Sequence, residues 1–113
     1  MINLKVDEAY AFDYLSILDI KKSLNKDCHS AWEKCFNFIQ NQIDQNKMNE
    51  IIESIEYQNM IETNKLTFDA VEKARYGKGI TAKEVDDINM VRHKRKLELQ
   101  KKFFDNILTE YKT

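Results

Sequence analysis

Apolar residues recur at three- and four-residue spacing along most of this chain, the pattern of helices that each bury one face. The first segment, Val6 to Leu24, reads VDEAYAFDYLSILDIKKSL, with Asp7 and Glu8 at its start and Lys21 and Lys22 at its end, as a helix dipole favours. Ala9, Tyr10, Phe12, Tyr14, Leu15, Ile17, Leu18 and Ile20 cover well over half of its circumference. Such a helix needs burial on more than one side, at the centre of the fold or against a second subunit. Asn25 suits a left-handed C-cap.

The second helix has two possible starts, Asp27 as N-cap or Ser30 with Glu33 as a capping box. From either start, Cys28, Trp32, Cys35 or Phe36, Ile39 and Ile43 form one stripe that ends near Asp44. A polar stretch then leads into Met48, Ile51, Ile52 and Ile55. Continuing that stripe would require apolar residues at 59 and 62, where the chain has Asn59 and Glu62; the real stripe restarts as Tyr57, Ile61, Asn64, Phe68 and Val71. The jump in phase predicts a break, with Ser54 capping a new helix that runs to about Tyr76.

The segment YGKGI holds both of the chain's glycines, Gly77 and Gly79, and is the natural tight connection. Thr81 with Glu84 forms a capping box that opens a last helix reaching to about Glu110. Two helices joined by so short a loop are antiparallel neighbours. Folding them about Lys78 sets Val71 opposite Val85, Phe68 opposite Ile88, Asn64 opposite Arg92, Ile61 opposite Arg95 and Tyr57 opposite Leu99. The expected architecture is an all-α, single-domain helical bundle over residues 1–113, with four main helices plus a short one and a long C-terminal antiparallel hairpin.

Composition agrees with this. In 113 residues there are no prolines and only two glycines, far too few turn formers for a sheet protein, and the length suits one core. Cys28 and Cys35 are seven residues apart on one helix, about 10 Å by helical rise and too far for a disulfide. Free thiols, an N-terminus unlike a signal peptide and the lack of a long apolar run point to the cytoplasm, with no membrane span.

Charge brings in the candidate chemistry. The net charge is only −1, unlike a dedicated nucleic-acid binder. The chain is nevertheless polar in its halves: residues 1–65 hold 7 Lys and 11 acidic side chains, residues 66–113 hold 11 Lys or Arg and 8 acidic ones. Opposed halves favour helix packing or association of identical chains. The basic run Arg92, His93, Lys94, Arg95, Lys96 interrupts the last apolar stripe, and the hairpin register turns Arg92 and Arg95 toward the preceding helix, with Lys94 in solvent. An arginine there lays its stem on Ile61 or Phe68 and needs acceptors: Asn64, Asn89, or a carboxylate such as Glu62 or Asp19. Asn64, Asn89, Arg92, Arg95 and Lys96 are therefore either a polar clamp fixing helix register or an anion site in which Arg92 and Lys96 grip a phosphate or carboxylate.

Other chemistries find less footing. The two helices around the glycines have the outline of a helix-turn-helix, but Glu84, Asp86 and Asp87 stand where that motif meets bases. His29 and Glu33 share a helix face near Cys28 and Cys35, without the repeated Glu-x-x-His pairs of a helical metal centre. No catalytic motif is present, and no cofactor is implied. Phe103, Phe104, Ile107, Leu108 and Tyr111 make the end of the last helix more apolar than one neighbour could cover; they should cap the first helix or meet a second subunit. The expectation is a small non-enzymatic, cytoplasmic module that works through protein association, with a homodimer preferred. The alternative is a nucleic-acid or anion binder using residues 92–96.

Overall fold

A computed structural model describes residues 7–24, 26–77 and 79–104. Among these the chain forms five α-helices and no strand: α1 (Glu8–Leu24), α2 (His29–Gln42), α3 (Gln45–Ile52), α4 (Ile55–Arg75) and α5 (Ala82–Phe103). The all-α bundle with one short helix and a long closing hairpin is thus present. The last two helices are the longest, at 21 and 22 residues.

Local chemistry sets most of the boundaries. The hydroxyl of Ser54 accepts from the Tyr57 backbone N–H (3.1 Å), and that cap separates α3 from α4 where the apolar stripe changes phase. Gly77 and Gly79 both take positive φ (66° and 79°), conformations that side-chain-bearing residues rarely adopt, and they turn the chain back. Thr81 and Glu84 then close a reciprocal capping box at the start of α5.

Two expected boundaries and one expected burial differ. The α2 helix opens at His29 behind a 3-10 turn over Lys26–Cys28. Ser30 is already inside the helix, and the capping position falls to Cys28, whose side chain makes no cap bond. The tighter turn consumes the residues that would have formed the first α-helical turn. The α5 helix ends at Phe103, and its expected extension to Glu110, with Ile107, Leu108 and Tyr111, lies outside the described residues, as do Asn25 and the hinge Lys78. Tyr14 is largely exposed despite its place among the apolar residues of α1.

The core is built from Ala9, Phe12 and Leu15 of α1, Ile39 of α2, Met48 and Ile51 of α3, Tyr57 and Met60 of α4, and Leu99 and Phe103 of α5. Phe12 is its centre, edge-on to Tyr57 and stacked obliquely with Phe104 (ring centroids 6.3 and 6.1 Å apart). The aromatic end of α5 therefore caps α1 within the same chain. On the other side Lys22 sits over the Trp32 ring, 3.3 Å from its centroid, and ties α2 to the end of α1.

The position of α1 follows from its bonds. Its N-terminal end is held by α5, where Gln100 Oε1 accepts from the Ala9 N–H (2.9 Å), and its C-terminal half by α4, where the Tyr57 hydroxyl donates to Asp19 (2.7 Å). By the hairpin register Tyr57 and Gln100 stand at nearly one level. The first helix therefore packs against both arms, and its far end, at Lys21 and Leu24, reaches Phe68 and Val71 of α4. Toward the glycine turn, residues 71–77 and 81–87 are all exposed.

Candidate functional site

Midway along α1, where it meets both arms of the hairpin, three helices bring polar side chains together. Asn64, buried on α4, donates from its Nδ2 to Asp13 Oδ1 (2.9 Å) and to Ser16 Oγ (2.6 Å), both on α1. Its Oδ1 accepts from Arg92 Nε on α5 (2.9 Å), and Arg92 Nη2 reaches Asp13 Oδ2 (3.2 Å). Ser16 Oγ in turn donates to the Asp13 backbone carbonyl (2.6 Å). The ring is closed. These partners also fix the orientation of the Asn64 amide, since only a nitrogen can face the carboxylate and only an oxygen can face Nε.

This arrangement holds register more readily than it holds a ligand. Both N–H donors of the Asn64 amide and one lone pair of its oxygen are taken, and the charge of Arg92 is met by a carboxylate whose side chain is 12% exposed. The remaining residues named from the sequence disperse. Arg95 donates to Thr63 Oγ1 (3.4 Å) and pairs with Glu98 (2.9 Å). Lys96 lies over the Tyr10 ring, 4.5 Å from its centroid, and Asn89 is exposed on the wall of a groove of about 370 Å³ between α4 and α5. The structure thus joins Asn64 to Arg92 as the hairpin register requires, but it does not gather Asn89, Arg95 and Lys96 around the same point.

The carboxylate in the ring is Asp13, which sequence reasoning missed. Glu62 pairs with Lys65 on the surface, and Asp19 serves Tyr57 and Lys22. The signal was there, because Asp13 and Ser16 sit at helical spacing from Ala9 and Ile20 within the most apolar helix. A carboxylate inside one stripe and an arginine inside another are each other's natural partners. Gln100 was missed as well. It is buried on α5, accepts from Ala9 N–H and donates to Glu8 Oε1 (2.8 Å), so a side chain from the last helix satisfies the open first turn of the first.

Two further groups are shifted by their surroundings. Burial, then the hydrogen bond to Asp19, pushes the Tyr57 phenol well above its usual value, and burial pushes the Cys35 thiol up. Both stay protonated at neutral pH, which makes Cys35 a poor nucleophile. Among the described residues no group of three or more His, Cys, Asp or Glu could hold a metal ion, and no helix is long and apolar enough to cross a membrane. Comparison with protein families, curated proteins and solved structures finds no match.

Proposed function

We propose that the protein is a non-enzymatic helical association module: the polar ring fixes the body, and the hairpin presents an arm to another chain, in the first place a second copy of itself. The observation that carries this reading is the arm's exposed apolar surface. Leu66, Val71, Tyr76, Val85, Met90 and Val91 are all more than a third exposed, and all belong to the turn-side part of the hairpin. Two helices bury only the seam between them, so a projecting pair leaves apolar flanks in water until something covers them. The free cysteines suit a reducing compartment, and we place the module in the cytoplasm.

The alternative, a nucleic-acid or anion binder at residues 92–96, has less support. Arg92 and Arg95 are each turned to a carboxylate, and Lys96 to an aromatic ring. Light scattering over a range of concentrations tests the association reading: a mass near twice that of the 13.5 kDa chain is expected. A monomer at millimolar concentration removes self-association. Salt-sensitive binding to an oligonucleotide would instead favour the alternative.

A further inference from the structure

The seam between α4 and α5 opens, toward the glycine turn, into the groove of about 370 Å³ that Asn89 borders. Ala70 and Ala74 stand one turn apart on α4, and their methyl groups leave an apolar trough beside Val85 and Ile88 of α5. Arg92 stands with Asn89 at the end nearer the polar ring. Among the described residues no carboxylate lines the groove, and Arg92 is its one charged wall. We infer that this groove binds a small apolar carboxylate, a medium-chain fatty acid, with its chain in the trough and its head on the Arg92 guanidinium and the Asn89 amide. The inference goes beyond the association reading and does not depend on it.

The open edge of Arg92 sets the chemistry of the head. A guanidinium offers two planar forks, Nε with Nη2 along its side and Nη1 with Nη2 at its end. The side fork is taken, because Nε donates to Asn64 (2.9 Å) and Nη2 to Asp13 (3.2 Å). Among the described residues Nη1 has no partner, and neither has the Asn89 amide. The end fork therefore remains for a second acceptor, and a carboxylate matches it with two parallel bonds. Net charge permits a second anion here. Lys96, one turn further along α5, lies over Tyr10 and is in no ion pair among the described residues, so Arg92 and Lys96 together outweigh the single carboxylate of Asp13. The ring also holds the guanidinium still, so little side-chain freedom is lost on binding.

The trough sets the tail. A bare inorganic anion would meet Arg92 and leave Val85, 38% exposed, in water, whereas a run of methylenes covers it. Length agrees. From Val85 to Arg92 the groove follows α5 for about 10 Å by helical rise, close to the extended length of octanoate. The last residue of a peptide brings only one short side chain beside its carboxylate and would leave the far end, at Ala74 and Val85, uncovered.

The test titrates octanoate into the full chain and follows the backbone amides by NMR, with octanol, acetate and N-acetyl-leucine as comparison ligands. Saturable shifts should concentrate at residues 67–74 and 85–92, with a dissociation constant on the order of 1 mM for so open a groove. Octanol lacks the charge and acetate lacks the chain, and each should bind about tenfold more weakly. Ala74→Phe fills the trough and Asn89→Asp sets a like charge beside the head; each should raise the constant about tenfold. Both positions are exposed, and circular dichroism checks the fold. No saturable shift overturns the site. Octanol as tight as octanoate overturns the role of Arg92 and Asn89, and N-acetyl-leucine tighter than octanoate replaces the fatty acid with a peptide terminus. A titration indifferent to both Ala74→Phe and Asn89→Asp puts the binding elsewhere and overturns the groove.

Discussion

Asn64 touches a carboxylate, a hydroxyl and a guanidinium at once, so the three helices it joins lose different amounts when one partner goes. Arg92→Ala strands Asp13 in a mostly buried place and leaves the Asn64 oxygen unmet. The chain should lose about 2–3 kcal/mol, read as a lower denaturant midpoint with an unchanged slope. Stability within experimental error of the wild type would show that the ring fixes nothing. Arg92→Lys should recover little of the loss, since an ammonium cannot bond Asn64 and Asp13 in the same planar fork. Tyr57 makes a second residue-scale prediction. Its phenol is held protonated above its usual range, so the folded chain keeps a proton that the unfolded chain releases near pH 10. Stability from this group is complete below that pH and declines as pH rises beyond it. Tyr57→Phe should cost about 1 kcal/mol at neutral pH through the lost bond to Asp19, and should flatten the alkaline decline. An unaltered alkaline profile in urea titrations would assign that decline to other groups.

At the scale of elements, the caps separate local from distant causes. Thr81→Ala opens the capping box of α5 and should cost about 1 kcal/mol. Gln100→Ala should weaken α1, although the substitution lies in α5, because the Ala9 N–H loses its acceptor; faster hydrogen exchange at that amide, with α5 itself unchanged, is the expected sign. This contrast also explains how much was legible beforehand. Ser54, the glycine turn and the Thr81–Glu84 box could be read because each acts within a few residues of itself. The Asn64–Arg92 contact could be read because one tight turn fixes the register of everything that follows it. The entry to α2 could not: Asp27 and Ser30 both had the chemistry of a cap, and the choice went to a 3-10 turn that neither residue announces. Asp13 and Gln100 stayed hidden for another reason. Their partners lie 51 to 92 residues away, and no local pattern states which helices meet.

For the whole molecule, the hairpin has a packed base and a more exposed arm. The base holds Phe12, Met60, Leu99 and the polar ring; toward the turn, exposed side chains predominate. Backbone amides of residues 70–90 should exchange with solvent faster than those of residues 57–64 and 95–103 in dilute solution. Raising the concentration should protect the arm and leave the base unchanged if copies pair there. Uniform protection at every concentration would mean that the arm needs no partner.

The cap supplied by Gln100 also carries a consequence for birth order. A ribosome delivers α1 first and α5 last, so the most greasy helix emerges long before the amide that completes its opening turn or the guanidinium that locks it in place. Until residue 100 is out, that helix has no finished seat, and nascent chains halted short of residue 92 should be the ones that holdase chaperones retain.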